Sequence, residues 1–338
     1  MGIADFALAM PSGKLSVDDV SRESGHTVEK LGQVLPSGKF SVLAEGETPW
    51  GLGREAAARL LARNPVPLDE IGLVLYAGSS EWGTPFWSPA AKIALELGIG
   101  RAHCFEVSNF CNAGMVAVKI ADDQVRAGTH KYALVVISDR LSQLVEYGTG
   151  YIELFNFADG AAAVLVSADA AYEVLGAAHH TDPQWVDSYY GEIKDGRVKV
   201  ERGEKLDGLG EAFLDNFTGL TAEVLAGIGQ EVADVAYFLV THGNQDTHRK
   251  YLSALGVDAS RSVFQYDLDG HLGGVDPFLA LEELEREGRI GSGDLVIVAT
   301  AGSGFTCAEV VPVQTTGEQG AGEGRGAAGL GGHGGRRG

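Results

Sequence analysis

A cysteine and a histidine stand at equivalent points of two repeated stretches of this chain. Cys104-Phe-Glu-Val-Ser-Asn-Phe-Cys111 leads into a helix-like run through Gly128 and then the strand-like Tyr132-Ala-Leu-Val-Val-Ile-Ser138. Val263-Phe-Gln-Tyr-Asp-Leu-Asp-Gly-His271 leads into a similar run through Gly288 and then Asp294-Leu-Val-Ile-Val-Ala-Thr300. The offset is about 160 residues throughout, so Cys111 falls on His271. Two copies of one βαβ-type unit, packed about a pseudo-twofold axis, would bring these strand-to-helix turns together. A thiol nucleophile and an imidazole base would then share one pocket, which is enzyme chemistry.

Cys111 precedes Ala113-Gly-Met-Val-Ala-Val-Lys-Ile-Ala121, a run apolar enough to be a buried helix. A thiol at a helix N-terminus feels the positive end of the dipole, which favours thiolate. Ala113 and Gly114 leave room for a substrate. The competing reading of Cys111 is a small buried hydrophobe, the usual state of a free cysteine. His242 ends an apolar strand ahead of Gly243-Asn244-Gln245, a typical active-site placement in α/β proteins. His271 lies in the glycine-rich turn Asp269-Gly-His-Leu-Gly-Gly-Val-Asp276. Asp276, with Pro277 behind it and an apolar-periodic run to Arg286, reads as a helix N-cap with proline at the first helical position. Orienting His271 would be a second role for it. Gly302-Ser303-Gly304 follows a strand and serves either as a donor of backbone N–H to an oxyanion or as a tight turn.

Other side chains carry weaker signals. Trp82, Phe86 and Trp87 sit in one loop, where they would line an acyl or acceptor pocket or form an aromatic dimer contact. Arg249 and Lys250 follow the His242 loop and would meet a phosphopantetheine or an acidic carrier protein, or simply be solvated. Cys104 and Cys307 occupy strand-like, inert positions. His248 reads as solvated on its helix, and His130, His179 and His180 have no convergent context.

The elements that must position these groups alternate. Strand candidates are Leu73–Ala77, Phe105–Val107, Ala133–Ser138, Ala162–Val166, Tyr237–Thr241, Val263–Tyr266 and Leu295–Thr300, with amphipathic helical runs between them. This is α/β architecture. Leu73–Ala77, Ala133–Ser138 and Leu295–Thr300 are apolar without alternation, as expected of strands covered on both faces. Asp159-Gly160 is a hairpin signal between Tyr151–Ala158 and the strand after it. The division falls near Ser167–Tyr172, giving an N-terminal half, residues 1–168, with the nucleophile and a C-terminal half, residues 169–314, with the histidines. Residues 315–338, chiefly Gly, Ala, Glu and Arg, lack apolar residues to bury and read as a disordered tail. The first 50 residues are the least readable.

At 338 residues the chain accommodates one large duplicated unit or two domains. A formal charge of -20 leaves no basic face for nucleic acid. Three cysteines without CxxC or metal-ligand spacing point to a reducing cytoplasm and to no metal site. Met1-Gly-Ile-Ala-Asp-Phe6 has no basic segment before an apolar core, so no signal peptide is expected. No run approaches the roughly 20 apolar residues of a membrane span.

Five stretches together resemble the ketoacyl synthase III branch of the thiolase superfamily, over about residues 45–313. They are Val107-Ser-Asn-Phe-Cys111-Asn-Ala-Gly, Phe157-Ala-Asp-Gly-Ala-Ala-Ala-Val, Thr241-His-Gly-Asn-Gln, Gly270-His-Leu-Gly-Gly and Ala301-Gly-Ser-Gly-Phe-Thr306. The resemblance implies a five-layered αβαβα fold from two duplicated halves, a homodimer, and no cofactor beyond acyl-coenzyme A or acyl-phosphopantetheine as substrate. It implies that Cys111 takes an acyl group from coenzyme A or an acyl carrier protein, assisted by His242, with the oxyanion held by the amides of Cys111 and Ser303. One position departs from the pattern. Synthases of this type carry an asparagine where His271 stands, and a histidine can act as a base where an amide cannot. The chain is more similar to a natural-product side branch that uses a Cys/Ser-His-Asp arrangement to move acyl groups, which Cys111, His271 and Asp276 fit. The expected activity is acyl transfer to a hydroxyl, amine or carrier thiol. The alternatives are decarboxylative condensation with a malonyl thioester, and a non-catalytic partner subunit that keeps the fold.

Overall fold

The computed structural model describes residues 1–36, 38–204, 207–266, 269–302 and 309–316. In the first half the strands are β1 Gly2–Ala9, β2 Gly13–Ser16, β3 Lys39–Val42, β4 Ile71–Gly78, β5 His103–Ser108, β6 Tyr132–Arg140 and β7 Asp159–Ser167. Its helices are α1 Val17–Ser24, α2 Val28–Leu31, α3 Pro49–Arg63, α4 Pro89–Leu97 and α5 Ala113–Arg126. The second half contributes β8 Tyr172–Val174, β9 Ala178–His179, β10 Tyr189–Lys194, β11 Arg197–Arg202, β12 Val235–Val240, β13 Leu295–Thr300 and β14 Glu309–Thr315. Its helices are α6 Leu209–Gly227, α7 Gln245–Ala254 and α8 Asp276–Arg286.

The repeat read in the sequence is a repeat of topology. The main sheet runs β12-β13-β14-β8-β1-β7-β6-β4-β5. In the first half β4 pairs parallel with β6, β6 antiparallel with β7, and β7 antiparallel with β1. In the second half β12, β13, β14 and β8 repeat those three pairings in the same order and sense. The halves join where Gly2 and Ile3 of β1 pair with Glu173 and Tyr172 of β8.

Strand alternation sorts the apolar side chains into layers even where the sequence shows no polar alternation. Val74, Tyr76, Leu134 and Val136 pack outward against α3 and α4. Leu73, Leu75, Val135 and Ile137 face the opposite way, onto α5 and α8. Those helices are covered on their far side by Val296 and Val298 of β13, whose neighbours Ile297 and Ala299 face α6 and α7. The result is helices, sheet, helices, sheet, helices, the five-layered arrangement expected.

Three local expectations fail. Residues Val263–Tyr266 are not a strand; β12 makes only a single bridge there, between Phe238 and Ser262. The chain turns at that point so that the Ser262 and Tyr266 hydroxyls meet the two ring nitrogens of His248. Asp159-Gly160 is not a hairpin turn either, because both residues begin β7 and Ile152–Leu154 is a short 3-10 turn. The Asp159 carboxylate accepts from the backbone of Leu43 and Ser142 and from the Ser142 hydroxyl, so it ties loops together. β14 continues through Thr315, and Thr316 donates to the Ala171 carbonyl, so sheet structure runs past the residue at which the tail was placed. Residues 317–338 lie outside the described residues. Among the described residues no helix is long and apolar enough to cross a membrane.

Candidate active site

Cys111 sits in the 3-10 turn Phe110–Asn112 between β5 and the N-terminus of α5. Phe110 takes φ 50, a left-handed conformation that costs a bulky residue on the order of 1 kcal/mol and turns the chain sharply before Cys111. The equivalent turn of the second half, Gly273–Val275, lies directly against it. A Cβ on Gly114 would stand 2.9 Å from the Gly274 carbonyl oxygen, and one on Gly273 would stand 3.8 Å from the Cys111 sulfur. The absence of a side chain at Gly114 and Gly274 permits this approach.

The approach builds a triad. Cys111 Sγ is 3.1 Å from His271 Nε2, and His271 Nδ1 is 2.6 Å from Asp276 Oδ2. The histidine is pinned from the first half, since its N–H donates to the Asn156 carbonyl at 2.7 Å and its carbonyl accepts from Ala158 at 2.9 Å. Asp276 is fully buried, and its Oδ1 accepts from the Leu272 N–H at 2.8 Å while Oδ2 also accepts from the His242 N–H at 2.6 Å. It does not cap α8: no side-chain cap bond is made there, and the carboxylate turns back toward His271. Asp276 therefore orients the imidazole, and the local N-cap reading is replaced.

The electrostatics follow from burial and neighbours. Burial alone would push His271 down, but the Cys111 sulfur and the Asp276 carboxylate outweigh it and hold the imidazole well above the ordinary histidine range. Burial would raise Asp276, but His271, His242 and their N–H groups hold it below the usual carboxylate value. The pair thus favours an imidazolium beside the sulfur and an ionised aspartate behind it.

His242 is placed differently from expectation. Its side chain is 0% exposed, its ring nitrogens make no regular hydrogen bond, and its Nδ1 lies 3.8 Å from Asp276 Oδ1. It packs on the Tyr266 ring at 5.0 Å. It does not line the space beside Cys111, so the expected polarising of an acyl carbonyl is not available from this position. Burial lowers its affinity for a proton, against the pull of Asp276 and of the Val263 backbone.

Two chambers meet at Cys111. One, of about 220 Å³, reaches His271 and is walled by Phe213 and Phe217 of α6 and by Asn244, Thr247 and Tyr251. The other, of about 330 Å³, is walled by Ser79, Leu141, Leu144, Val198 and Val200 and does not touch His271. Cys111, Phe157 and Tyr189 belong to both.

Of the expected binding residues, Asn244 lines the first chamber, and its side chain caps α7 by accepting from Thr247 N–H at 2.9 Å. Arg249 lies outside both chambers, stacked over Phe264 at 4.5 Å. Trp82 packs edge-on against Tyr76, Trp87 packs against Trp50, and Phe86 is fully exposed; none of the three lines either chamber. His248, read as solvated, is buried in the first chamber's wall, bonded to Tyr266 and Ser262 and stacked on Phe264 at 4.1 Å. Burial pushes it down to about 3, so it stays neutral. Cys104 lies in β5, its thiol pushed up by burial and by Glu106. Ser303 and Cys307 lie outside the described residues. Among the described residues no cluster of three histidine, cysteine or acidic side chains could hold a metal ion.

The fold is of the thiolase type, with Cys111 at the junction of two duplicated halves. Residues 105–183 match the 3-oxoacyl-[acyl-carrier-protein] synthase III family and residues 225–312 match the C-terminal region of the same family. The chain is similar to that family over these two stretches. It is 29% identical over 275 residues to a beta-ketoacyl-[acyl-carrier-protein] synthase III of Sphingopyxis alaskensis, covering 79% of this chain and 85% of that protein. It is 27% identical over 305 residues to one of Rhodospirillum centenum, covering 88% and 94%. Among solved structures, 3-oxoacyl-[acyl-carrier-protein] synthase III of Aquifex aeolicus superimposes with a TM-score of 0.82 at 20% identity, over 93% of this chain and 99% of the other. An OleA variant of Xanthomonas campestris gives 0.81 at 17% identity, over 93% and 98%. At such identities these structures speak for the fold.

Proposed function

We propose that the protein is an acyltransferase of natural-product biosynthesis that carries an acyl group on Cys111 from a coenzyme A or acyl-carrier-protein thioester to a hydroxyl, amine or carrier thiol. The observation that supports it is the Cys111–His271–Asp276 triad: an imidazole fixed by a buried carboxylate and aimed at the thiol can take and return a proton. In the first half-reaction the Cys111 sulfur attacks the thioester carbon. A carbon–sulfur bond to Cys111 forms, the donor's carbon–sulfur bond breaks, and His271 gives its proton to the departing thiolate. In the second, His271 removes the acceptor's proton as the acceptor attacks the acyl carbon, and the Cys111 thiolate leaves. The amides of Cys111 and Ser303 are the proposed oxyanion donors.

The base faces one chamber only, which assigns entering and leaving groups to the Phe213–Tyr251 side and the acyl chain to the Leu141–Val200 side. No metal or organic cofactor takes part in this scheme. The exposed Phe86, and Phe110 beside the nucleophile, favour a homodimer, and the unpaired cysteines favour a cytoplasmic protein.

The names of the relatives favour a second reading, decarboxylative condensation of acyl-Cys111 with a malonyl carrier protein. Against it stands His242, whose buried ring does not line the chamber where an enolate oxygen would need a donor. Incubation with acyl-coenzyme A, followed by mass spectrometry, tests the common step. Wild type gains one acyl group and Cys111→Ala gains none; labelling that survives the substitution defeats both readings. Adding malonyl thioester separates them, since carbon dioxide and a β-keto product mean condensation. A chain that takes no acyl group on any cysteine is a non-catalytic partner.

A further inference from the structure

The chamber without His271 is built from two pieces of chain that belong to different parts of the fold. One is the 3-10 turn Leu141–Leu144, which continues directly from β6 of the main sheet. The other is the β10–β11 hairpin, a two-stranded sheet of its own. In β11 the run Arg197-Val-Lys-Val-Glu-Arg202 alternates, so Val198 and Val200 share one face. Those valines wall the chamber from the hairpin, and Leu141 and Leu144 wall it from the turn. The hairpin has no strand pairing with the main sheet, so side chains must set the gap between the two pieces.

Lys199 spans that gap. Its ammonium donates to the carbonyls of Gln143 and Val145, each at 2.8 Å. Those residues flank Leu144 on either side, just as Val198 and Val200 flank Lys199. Carbonyls at the end of a helical turn lack partners within it, and a cation is a strong donor to them. A lysine ordinarily leaves its charge in water or beside a carboxylate. Here it is given to two neutral groups on either side of a wall residue. Other ties hold the hairpin further off. At its base Glu153 meets the Tyr189 hydroxyl and the Arg202 guanidinium, both at 3.1 Å, and the Tyr151 hydroxyl donates to Glu201 at 3.4 Å. Near its tip Lys194 comes within 4.0 Å of Glu146.

We infer that Lys199 is a positioning residue that fixes the width of the acyl chamber, and thereby selects which acyl chains Cys111 accepts. The clip joins the middle of β11 to the turn at the level of Leu144, so the valine wall and the leucine wall keep one spacing. Without it the hairpin is tied at its base and near its tip, and its middle is free to swing outward. The chamber then admits longer chains and grips short ones less closely. The inference rests on the assignment of this chamber to the acyl chain made above.

The experiment offers the full chain an equimolar mixture of butanoyl- and decanoyl-coenzyme A and reads the two acyl-enzyme masses after a short pulse. Both thioesters compete for the same folded molecules, so a mere loss of stability does not move their ratio. Lys199→Met keeps the aliphatic stem and removes the donors; the ratio is expected to shift toward decanoyl by about tenfold. Lys199→Arg retains donors for both carbonyls and is expected to stay within about twofold of wild type. Should Lys199→Met not fold, Lys199→Gln, whose shorter chain cannot span to both carbonyls, is read in its place. An unchanged ratio in the Met variant overturns the inference, and so does an equal shift in Met and Arg. Leu144→Trp separates this failure from failure of the chamber assignment. If Leu144→Trp moves the ratio toward butanoyl and Lys199→Met leaves it unchanged, the role of Lys199 alone is wrong. If neither moves it, the assignment of the chamber falls, and this inference with it.

Discussion

Gly114 lies so close to Gly274 that a methyl group on Gly114 would press 2.9 Å from the Gly274 carbonyl oxygen. The two glycines stand at the same offset as Cys111 and His271, 160 residues apart, so a tight approach of the halves is also the place where thiol and imidazole meet. Gly114→Ala is expected to push the turns apart and cost about 1–3 kcal/mol. Stretching the 3.1 Å contact by even half an ångström should slow acylation of Cys111 more than tenfold. Burst kinetics with an acyl thioester, alongside a thermal melt, would check this; an alanine variant with native rate and stability would show that the turns have slack.

Asp276 has no neighbour able to replace it. Asp276→Ala leaves the N–H groups of His242 and Leu272 and the His271 Nδ1 without their acceptor, so a stability loss of about 3–5 kcal/mol is expected. Asp276→Asn keeps the shape and should fold, but it frees the imidazole to take the wrong tautomer. A fall of about 10³–10⁴-fold in acyl transfer should result, with little change in KM. Steady-state rates and urea melts on both variants distinguish the two effects.

The chambers give a steric prediction. Leu144 walls only the one that lacks His271. Leu144→Trp should shorten the preferred acyl chain and leave acceptor KM unchanged. Competition between short and long acyl thioesters would reveal it, and a change confined to the acceptor would reverse the chamber assignment.

Asp139 supplies a pH dependence. Burial, with the nearby Asp159 and Glu81 charges, outweighs its bonds from Ser79 and raises it from 3.8 to about 7. The folded state therefore holds this proton where the unfolded chain has released it. Stability should fall as pH rises from about 4 to about 7, by up to about 1.4 kcal/mol per unit, and level off above. Melting temperatures between pH 5 and 8 should decline less for Asp139→Asn than for wild type; parallel declines would count against this assignment.

The strands around the site were legible because burial on both faces leaves an unbroken apolar run, as in Leu295–Thr300, whose bounds match those of β13. The Cys111–His271 encounter was legible because duplication writes spatial equivalence as a constant offset. What escaped was set by partners distant in the chain. His248 is surrounded by Asp246, Thr247, Arg249 and Lys250, the pattern of a solvated helix, yet Ser262, Phe264 and Tyr266 arrive to bury it. Asp276 obeyed the local grammar of a helix cap, while its carboxylate accepts from the His271 ring, the Leu272 N–H and an N–H group 34 residues earlier. The loop with Trp82, Phe86 and Trp87 was ambiguous for the same reason, because aromatic side chains look alike whether they pack on a sheet or face a ligand.

The two turns that touch at Gly114 and Gly274 have a consequence for how such a centre can arise. Were the copies separate molecules on a true twofold axis, the facing positions would carry one residue type: sulfur opposite sulfur, or ring opposite ring. Joining them in a single polypeptide lets each side mutate alone. A donor–acceptor couple straddling the axis is thus open to a fused gene and closed to a symmetric pair.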